Sequence, residues 1–256
     1  MNSIDTDNDI LCSLDNSLLR LTLNRPTKLN ALTSSMYERL ADEITQAQKN
    51  DMVRAILLDG IGDNFTAGND IADFAGYATK EPLKAVEERP GMRFLFALLD
   101  NTKPLIAAIH GHAVGVGLTL TLHCDYVVVA EGSQFQAPFL DLGLVPEAGS
   151  SLILPQLVGR RKAAEILLGG APVSAEEAVK LGIANTVVPI KALSETAENY
   201  AIKLASKPPK AMRESLQLMS VDKKVLREHM LREARVFFDR LQSSEAKKIF
   251  AEFLSR

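Results

Sequence analysis

Three short apolar runs constrain this chain most: VRAILL at 53–58, PLIAAI at 104–109 and DYVVVA at 125–130. Runs of this length without polar alternation read as strands buried on both faces. Such strands need apolar cover on two sides, and the intervening segments supply it. Met36, Leu40, Ile44 and Ala47 share one face of a helix that runs to about Asn50, with Ser35 and Glu38 spaced as a capping box. LTLTLHC, before the third run, reads as another helix. Strands alternating with helices point to an α/β core.

Around this core the chain divides readily. LLRLTL alternates around Arg20 and Thr22, and the Asp15-Asn16 pair supplies a turn, so 10–23 reads as a hairpin. Residues 80–100 read as a broken helix interrupted by Pro82 and Pro90. Past 140 the pattern is mostly helical, through GSSLILPQLVG and RRKAAEILLGG. Ser174 and Glu177 form a second capping box, and Gly182 ends the helix that follows. ANTVVP is a late strand, and beyond about 192 the chain is amphipathic and helical, broken at KPPK. The division falls near 195, giving an α/β core over 1–195 and a helical C-terminal region over 196–256.

Composition narrows the function classes. A net charge of −3 and a pI of about 5.9 offer no polyanion-binding surface, which argues against nucleic acid. Cys12 and Cys124 lie far apart without metal-ligand spacing and read as reduced thiols. The start, MNSIDTDNDILC, is polar and acidic, unlike a secretory signal or a mitochondrial presequence. The apolar runs are too short to span a bilayer. A cytoplasmic protein without membrane association is the expectation.

Two glycine-rich loops follow the first two runs: DGIGDNFTAGND and HGHAVGVG. Each places small residues where a helix can begin, and the first amides of a helix lack intrahelical acceptors. Two such amides converging on one point would hold an oxyanion. Asn69 and Val116 each directly follow a loop glycine and are the candidate donors. Glycine loops between strand and helix are common in α/β proteins, so either loop could be purely structural. Neither G-x-G-x-x-G nor G-x-x-x-x-G-K-[ST] occurs, which removes both phosphate fingerprints. His110 and His112 have H-x-H spacing but no third ligand in a supporting motif, so a loop role is favoured over metal binding. Arg160, Arg161 and Lys162 read as a solvated helix face.

The order FTAGNDI, TKPLIAAIHGHAVGVG, CD and PFLDLGLVPEAGSS resembles the crotonase, or enoyl-CoA hydratase/isomerase, superfamily. The likeness runs from LTLNRPTKLNAL at 21–32 into the late helices. It implies a spiral of ββα units with a helical C-terminal region for oligomerisation and capping, assembled as a homotrimer or a dimer of trimers. It also implies an acyl-CoA thioester substrate, no separate cofactor or metal, and an enolate held by the Asn69 and Val116 amides. The CoA moiety would lie near Lys28, Leu29, Ala31, Ala67, Gly68 and Asp70, with Ile71, Gly115 and Phe139 also at the substrate. Asp70 is expected to cap a helix and Asp141 to be a loop or surface acid.

Hydratases of this family use two glutamates, and the matching places here hold Thr119 and Phe139. What remains is Glu147 in VPEAGSS, where the Δ3,Δ2-enoyl-CoA isomerase branch carries its single catalytic glutamate. GND in place of the commoner GAD departs from the pattern but keeps the backbone amide. Apolar neighbours should raise the Glu147 pKa and make it a better base. The expected activity is isomerisation of a 3-enoyl-CoA to a 2-enoyl-CoA. The alternatives are hydration, another crotonase-type reaction, and a non-catalytic acyl-CoA-binding or RNA-binding homologue.

Overall fold

The computed structural model describes residues 9–73, 85–220 and 222–254. The three apolar runs form adjacent strands of one six-stranded sheet, in the order β1 (Ile10–Asp15), β2 (Leu18–Leu23), β3 (Ala55–Gly60), β4 (Leu105–Ile109), β6 (Tyr126–Ala130) and β9 (Thr186–Val188). Only β1 and β2 pair antiparallel, through Asn16 and Ser17 at φ 48° and 63°, and every other neighbour is parallel. Parallel neighbours require crossovers, which the helices supply. The observed first run begins at Ala55 rather than Val53.

The sheet is covered on both faces, which explains the unbroken apolar runs. Leu57, Ile106 and Val128 face the helix Ile190–Ala205, meeting its Leu193, Ala197, Ala201 and Ala205. The i, i+4 spacing of those four residues makes one apolar stripe. Position 195 therefore falls inside a helix that covers the α/β sheet. Ile56, Leu58, Ala107, Ile109, Val127 and Val129 face the larger core with the helices α1 (Ser34–Lys49) and α2 (Pro90–Asp100). Met36, Leu40, Ile44 and Ala47 are all buried on α1, as their spacing predicts.

A second sheet stands beside the first. It joins β5 (His112–Val114), β7 (Gln134–Gln136) and β8 (Val173–Ser174). Backbone bridges Thr66–Ala113 and Leu32–Asn69 extend the same stepping arrangement toward the N-terminal loops. Further helices complete the mixed α/β fold: α3 (Val116–Thr119), α4 (Ser150–Val158), α5 (Arg160–Leu167), α6 (Ala175–Lys180), α7 (Ile190–Ala205), α8 (Pro209–Met219), α9 (Lys223–Gln242) and α10 (Ser244–Leu254).

Several local expectations shift. The N-cap of α1 is Thr33, whose hydroxyl accepts from Met36 N, so Ser35 and Glu38 are not the box. Pro90 opens α2 rather than breaking a helix, because proline's missing N–H costs nothing in a first turn. Pro82 lies outside the described residues. Part of the HGHAVGVG loop is strand β5, and the helix after it starts at Val116 and passes into a 3-10 turn over Leu120–His123. Ser174 does cap α6, accepting from Glu177 N, and Gly182 follows it at φ 77°. No helix among the described residues is long and apolar enough to cross a membrane.

Candidate active site

The two glycine loops leave the carboxyl ends of β3 and β4, where open α/β sheets form ligand crevices. They are held against each other by backbone bonds. Thr66 N donates to His112 O, and Val114 N donates to Thr66 O, both at 3.0 Å. A Cβ on Gly68 would lie 2.9 Å from Val114 O, and its φ is 91°, so only glycine allows this approach. Leu32 N donates to Gly68 O and Asp70 N donates to Leu32 O, leaving Asn69 as the bridge residue between them.

That pairing decides where the Asn69 amide goes. In a parallel bridge the flanking residues supply the bonds, so the N–H of Asn69 faces away from Leu32. Val116 is the first residue of α3, after Gly115 at φ 56°. Among the described residues neither amide donates a hydrogen bond to protein. A helix of four residues contributes little dipole, so the donor strength at Val116 comes from the free N–H itself.

Asn69, Val116 and Glu147 line one cavity of about 80 Å³, together with Tyr37, Asp73, Arg89 and the apolar side chains of Leu32, Met92, Phe237 and Phe238. Glu147 sits just before a turn in which Ala148 and Gly149 have φ of 59° and 74°. His123 Nε2 donates to Ala148 O at 2.8 Å, which fixes that tautomer and supports the turn. Thr119, fully buried on α3, donates its hydroxyl to Glu147 Oε1 at 2.5 Å. Burial pushes the Glu147 pKa up to about 7, against the Thr119 bond, with the Glu233 carboxylate adding to the rise.

Tyr37 ties α1 to the first loop: its hydroxyl donates to Asn69 Oδ1 at 2.5 Å. Burial, then the charges of Glu147 and Asp73, raise its pKa well above 10, so it remains a donor. Asp73 accepts from Ser34 N and Oγ at 2.8 and 2.7 Å on the cavity rim. The Arg89 guanidinium stacks 3.9 Å from the Phe238 ring centroid.

The remaining nominated residues do not line this cavity. Leu29 O accepts from Ala67 N, and Ala31 O accepts from Arg25 Nη1, so 28–32 and 67–70 form one continuous edge. Lys28 and Leu29 are exposed on it. Asp70 caps the helical backbone that begins at Ile71, accepting from Ala72 N and Asp73 N, and pairs with Arg25 at 2.6 Å. Although burial opposes the shift, that arginine and the two amides hold its pKa below the usual value. Phe139 is buried, and a Cβ on Gly115 would stand 3.9 Å from its ring. Asp141 is exposed, as expected.

His110 is buried with Nε2 donating to Gly62 O, and His112 is exposed; neither lines the cavity. Lys162 pairs with Glu165 and Glu177 on a solvated face. Sequence reasoning missed Tyr37, Asp73, Arg89, Phe237, Phe238 and Glu233. The usable signal was Glu233, one charged residue in the buried stripe Leu226, Met230, Ala234, Phe237 and Leu241.

A carboxylate held near pKa 7 can take a proton from carbon, and the two free amides on the same cavity can donate to the resulting oxyanion. The chain is 34% identical over 251 residues to a probable enoyl-CoA hydratase of Bacillus subtilis (strain 168), covering 97% of this chain and 96% of that protein. It is 31% identical over 251 residues to the peroxisomal enoyl-CoA delta isomerase 3 of Mus musculus, covering 97% and 78%. The structure of Pseudomonas aeruginosa OdaA superposes with a TM-score of 0.91 at 41% identity, over 97% of this chain and 99% of that one. Residues 13–256 match the enoyl-CoA hydratase/isomerase family, and the chain belongs to that family.

Proposed function

We propose that this enzyme moves the double bond of a 3-enoyl-CoA to the 2-position, with Glu147 as its single acid and base. The observation that carries the reading is the partner of Glu147. It is the Thr119 hydroxyl, at the place where the family's hydratases keep a glutamate. Phe139 stands at the other hydratase position and is buried. Neither residue can activate water as a carboxylate does.

The reaction needs few parts. Ionised Glu147 takes a proton from C2, and the electron pair moves onto the thioester oxygen as a dienolate. The Asn69 and Val116 amides donate to that oxygen. The carboxylic acid then delivers the proton to C4, leaving a conjugated C2–C3 double bond. A carboxylate with a pKa near 7 is a stronger base than an ordinary one and is still substantially ionised at neutral pH. The Thr119 bond occupies Oε1, which assigns proton transfer to the other carboxylate oxygen. The CoA moiety is placed along the edge of Lys28, Leu29, Ala31, Ala67, Gly68 and Asp70, with Ile71, Gly115 and Phe139 behind the reacting thioester. A homotrimer or dimer of trimers is part of the proposal, supported by α8, which buries no residue and exposes Leu218 and Met219.

A second reading has one observation in its favour: Asp73 is another carboxylate lining the cavity. If it could activate water, the enzyme would hydrate 2-enoyl-CoA. Parallel assays with 3-hexenoyl-CoA and 2-hexenoyl-CoA separate the two, because the conjugated thioester absorbs in the ultraviolet. The proposal expects rapid gain of absorbance from the 3-enoyl ester and slow or no loss from the 2-enoyl ester. Faster hydration than isomerisation would overturn it, and loss of that hydration in Asp73→Asn would identify the second acid.

A further inference from the structure

Glu233 is a carboxylate where helix packing calls for an apolar side chain. It lies on the buried stripe of α9 and is 7% exposed. Desolvating a carboxylate there is costly unless donors meet it. They do, and all come from the turn that carries Glu147. Gly149 N donates to Oε2 at 2.6 Å, while Ser151 N and Ser151 Oγ donate to Oε1 at 3.0 and 2.5 Å. The backbone contact is equally close: a Cβ on Gly149 would stand 2.6 Å from Leu226 Cδ1 of the same helix. Thus α9 both seals the cavity, with Phe237 and Phe238, and clamps the turn.

Ser151, His229 and Glu233 do not form a nucleophile triad. Ser151 Oγ gives its one proton to Glu233, and the same His229 nitrogen faces both Ser151 and Glu233, at 2.8 and 3.3 Å. None of the three lines the cavity.

We infer that Glu233 is a positioning residue for Glu147: from α9 it fixes the 147–151 turn that presents the carboxylate. The inference rests on the reading of Glu147 as the base. The titratable and charged groups around the pair are few. Thr119 of α3 and Tyr37 of α1 face Glu147, with Asp73 and Arg89 on the cavity rim. His123 supports Ala148 from below the turn. His229 faces Glu233, and Arg232 bonds its other ring nitrogen. Of these, Glu233 is the charged group whose proximity raises the Glu147 pKa.

The test is the pH profile of kcat/KM for 3-hexenoyl-CoA in Glu233→Gln, alongside wild type and Glu147→Gln. The Glu233 charge adds to the rise of the Glu147 pKa, so removing it should move the acid limb to lower pH. Loosening the turn should lower kcat by on the order of 10-fold, with KM within about 2-fold. A merely structural role would lower the folded fraction and leave the limb in place. Ser151→Ala, at an exposed residue, removes a bond that holds the already raised Glu233 pKa down, so Glu233 carries less charge and the limb should move in the same direction by less. It decides the matter should Glu233→Gln not fold. Profiles that superpose on wild type, in Glu233→Gln or failing that in Ser151→Ala, overturn the inference. An active Glu147→Gln would instead remove the reading beneath it.

Discussion

The centre of the sheet and the middle of the 147–151 turn, Ala148 to Ser150, are both buried, and they are built on opposite terms. β3, β4 and β6 each pair with a parallel strand on either side, and Ile56, Ile106 and Val128 are fully buried among other apolar side chains. At the turn the chain holds two consecutive residues at positive φ and brings two carboxylates near each other. It meets their cost with specific donors, Thr119 for Glu147 and Gly149 and Ser151 for Glu233. The sheet is buried at little electrostatic cost and performs no chemistry. The turn concentrates that cost where proton transfer is proposed. Strain and charge gather where the fold can over-determine them.

Breaking the sheet should affect stability and little else. Ile106→Ala creates a cavity between β3, β6 and α7, and a loss of about 2–5 kcal/mol in urea unfolding is expected. The folded fraction should keep its kcat and pH profile. The converse result comes from Val116→Pro. Proline fits the first position of a helix but removes the proposed oxyanion donor. A fall of about 10²–10³ in kcat is expected, with the thermal midpoint nearly unchanged. Wild-type turnover in a folded variant would exclude that amide.

Glu147→Gln should uncouple stability from activity. The folded-state pKa is near 7 and the unfolded-state value near 4.5, so the folded protein binds more protons between them. The wild type therefore loses stability as pH rises from about 4.5 through 7, and the deficit is complete above 7. Replacing the carboxylate should stabilise the protein by about 1–3 kcal/mol at pH 8 and by little at pH 4, measured by denaturation at both values. Thr119→Val keeps the volume and removes the hydroxyl. It should raise the Glu147 pKa further, move the acid limb to higher pH and lower kcat by about 10-fold. The smallest effect belongs to the exposed Arg227–Asp100 pair. Arg227→Ala should change stability by less than about 1 kcal/mol and leave turnover unchanged.

Much of the sheet was legible from sequence because its signal is local. Runs such as PLIAAI need no partner to be recognised, and the stripe Met36, Leu40, Ile44 and Ala47 reports its own helix. The second sheet was missed because β5, β7 and β8 are too short to show alternation. The cap of α1 was misplaced by two residues because Thr33, Ser34 and Ser35 are all competent caps, and loop geometry chose among them. Glu147, Asn69 and Val116 could be nominated from motifs, and the structure places all three on one cavity. The other walls could not. Glu233 reaches Gly149 across 84 residues, and Phe237 and Phe238 enter from the same distant helix. No spacing in the sequence encodes such contacts.

The central claim is that one carboxylate performs both proton transfers. The most direct measurement is kcat of Glu147→Gln with 3-hexenoyl-CoA, alongside CoA-thioester binding to show that the site is intact. The account predicts a loss of about 100-fold or more with binding preserved. Turnover near that of the wild type in the folded, ligand-binding variant would contradict it.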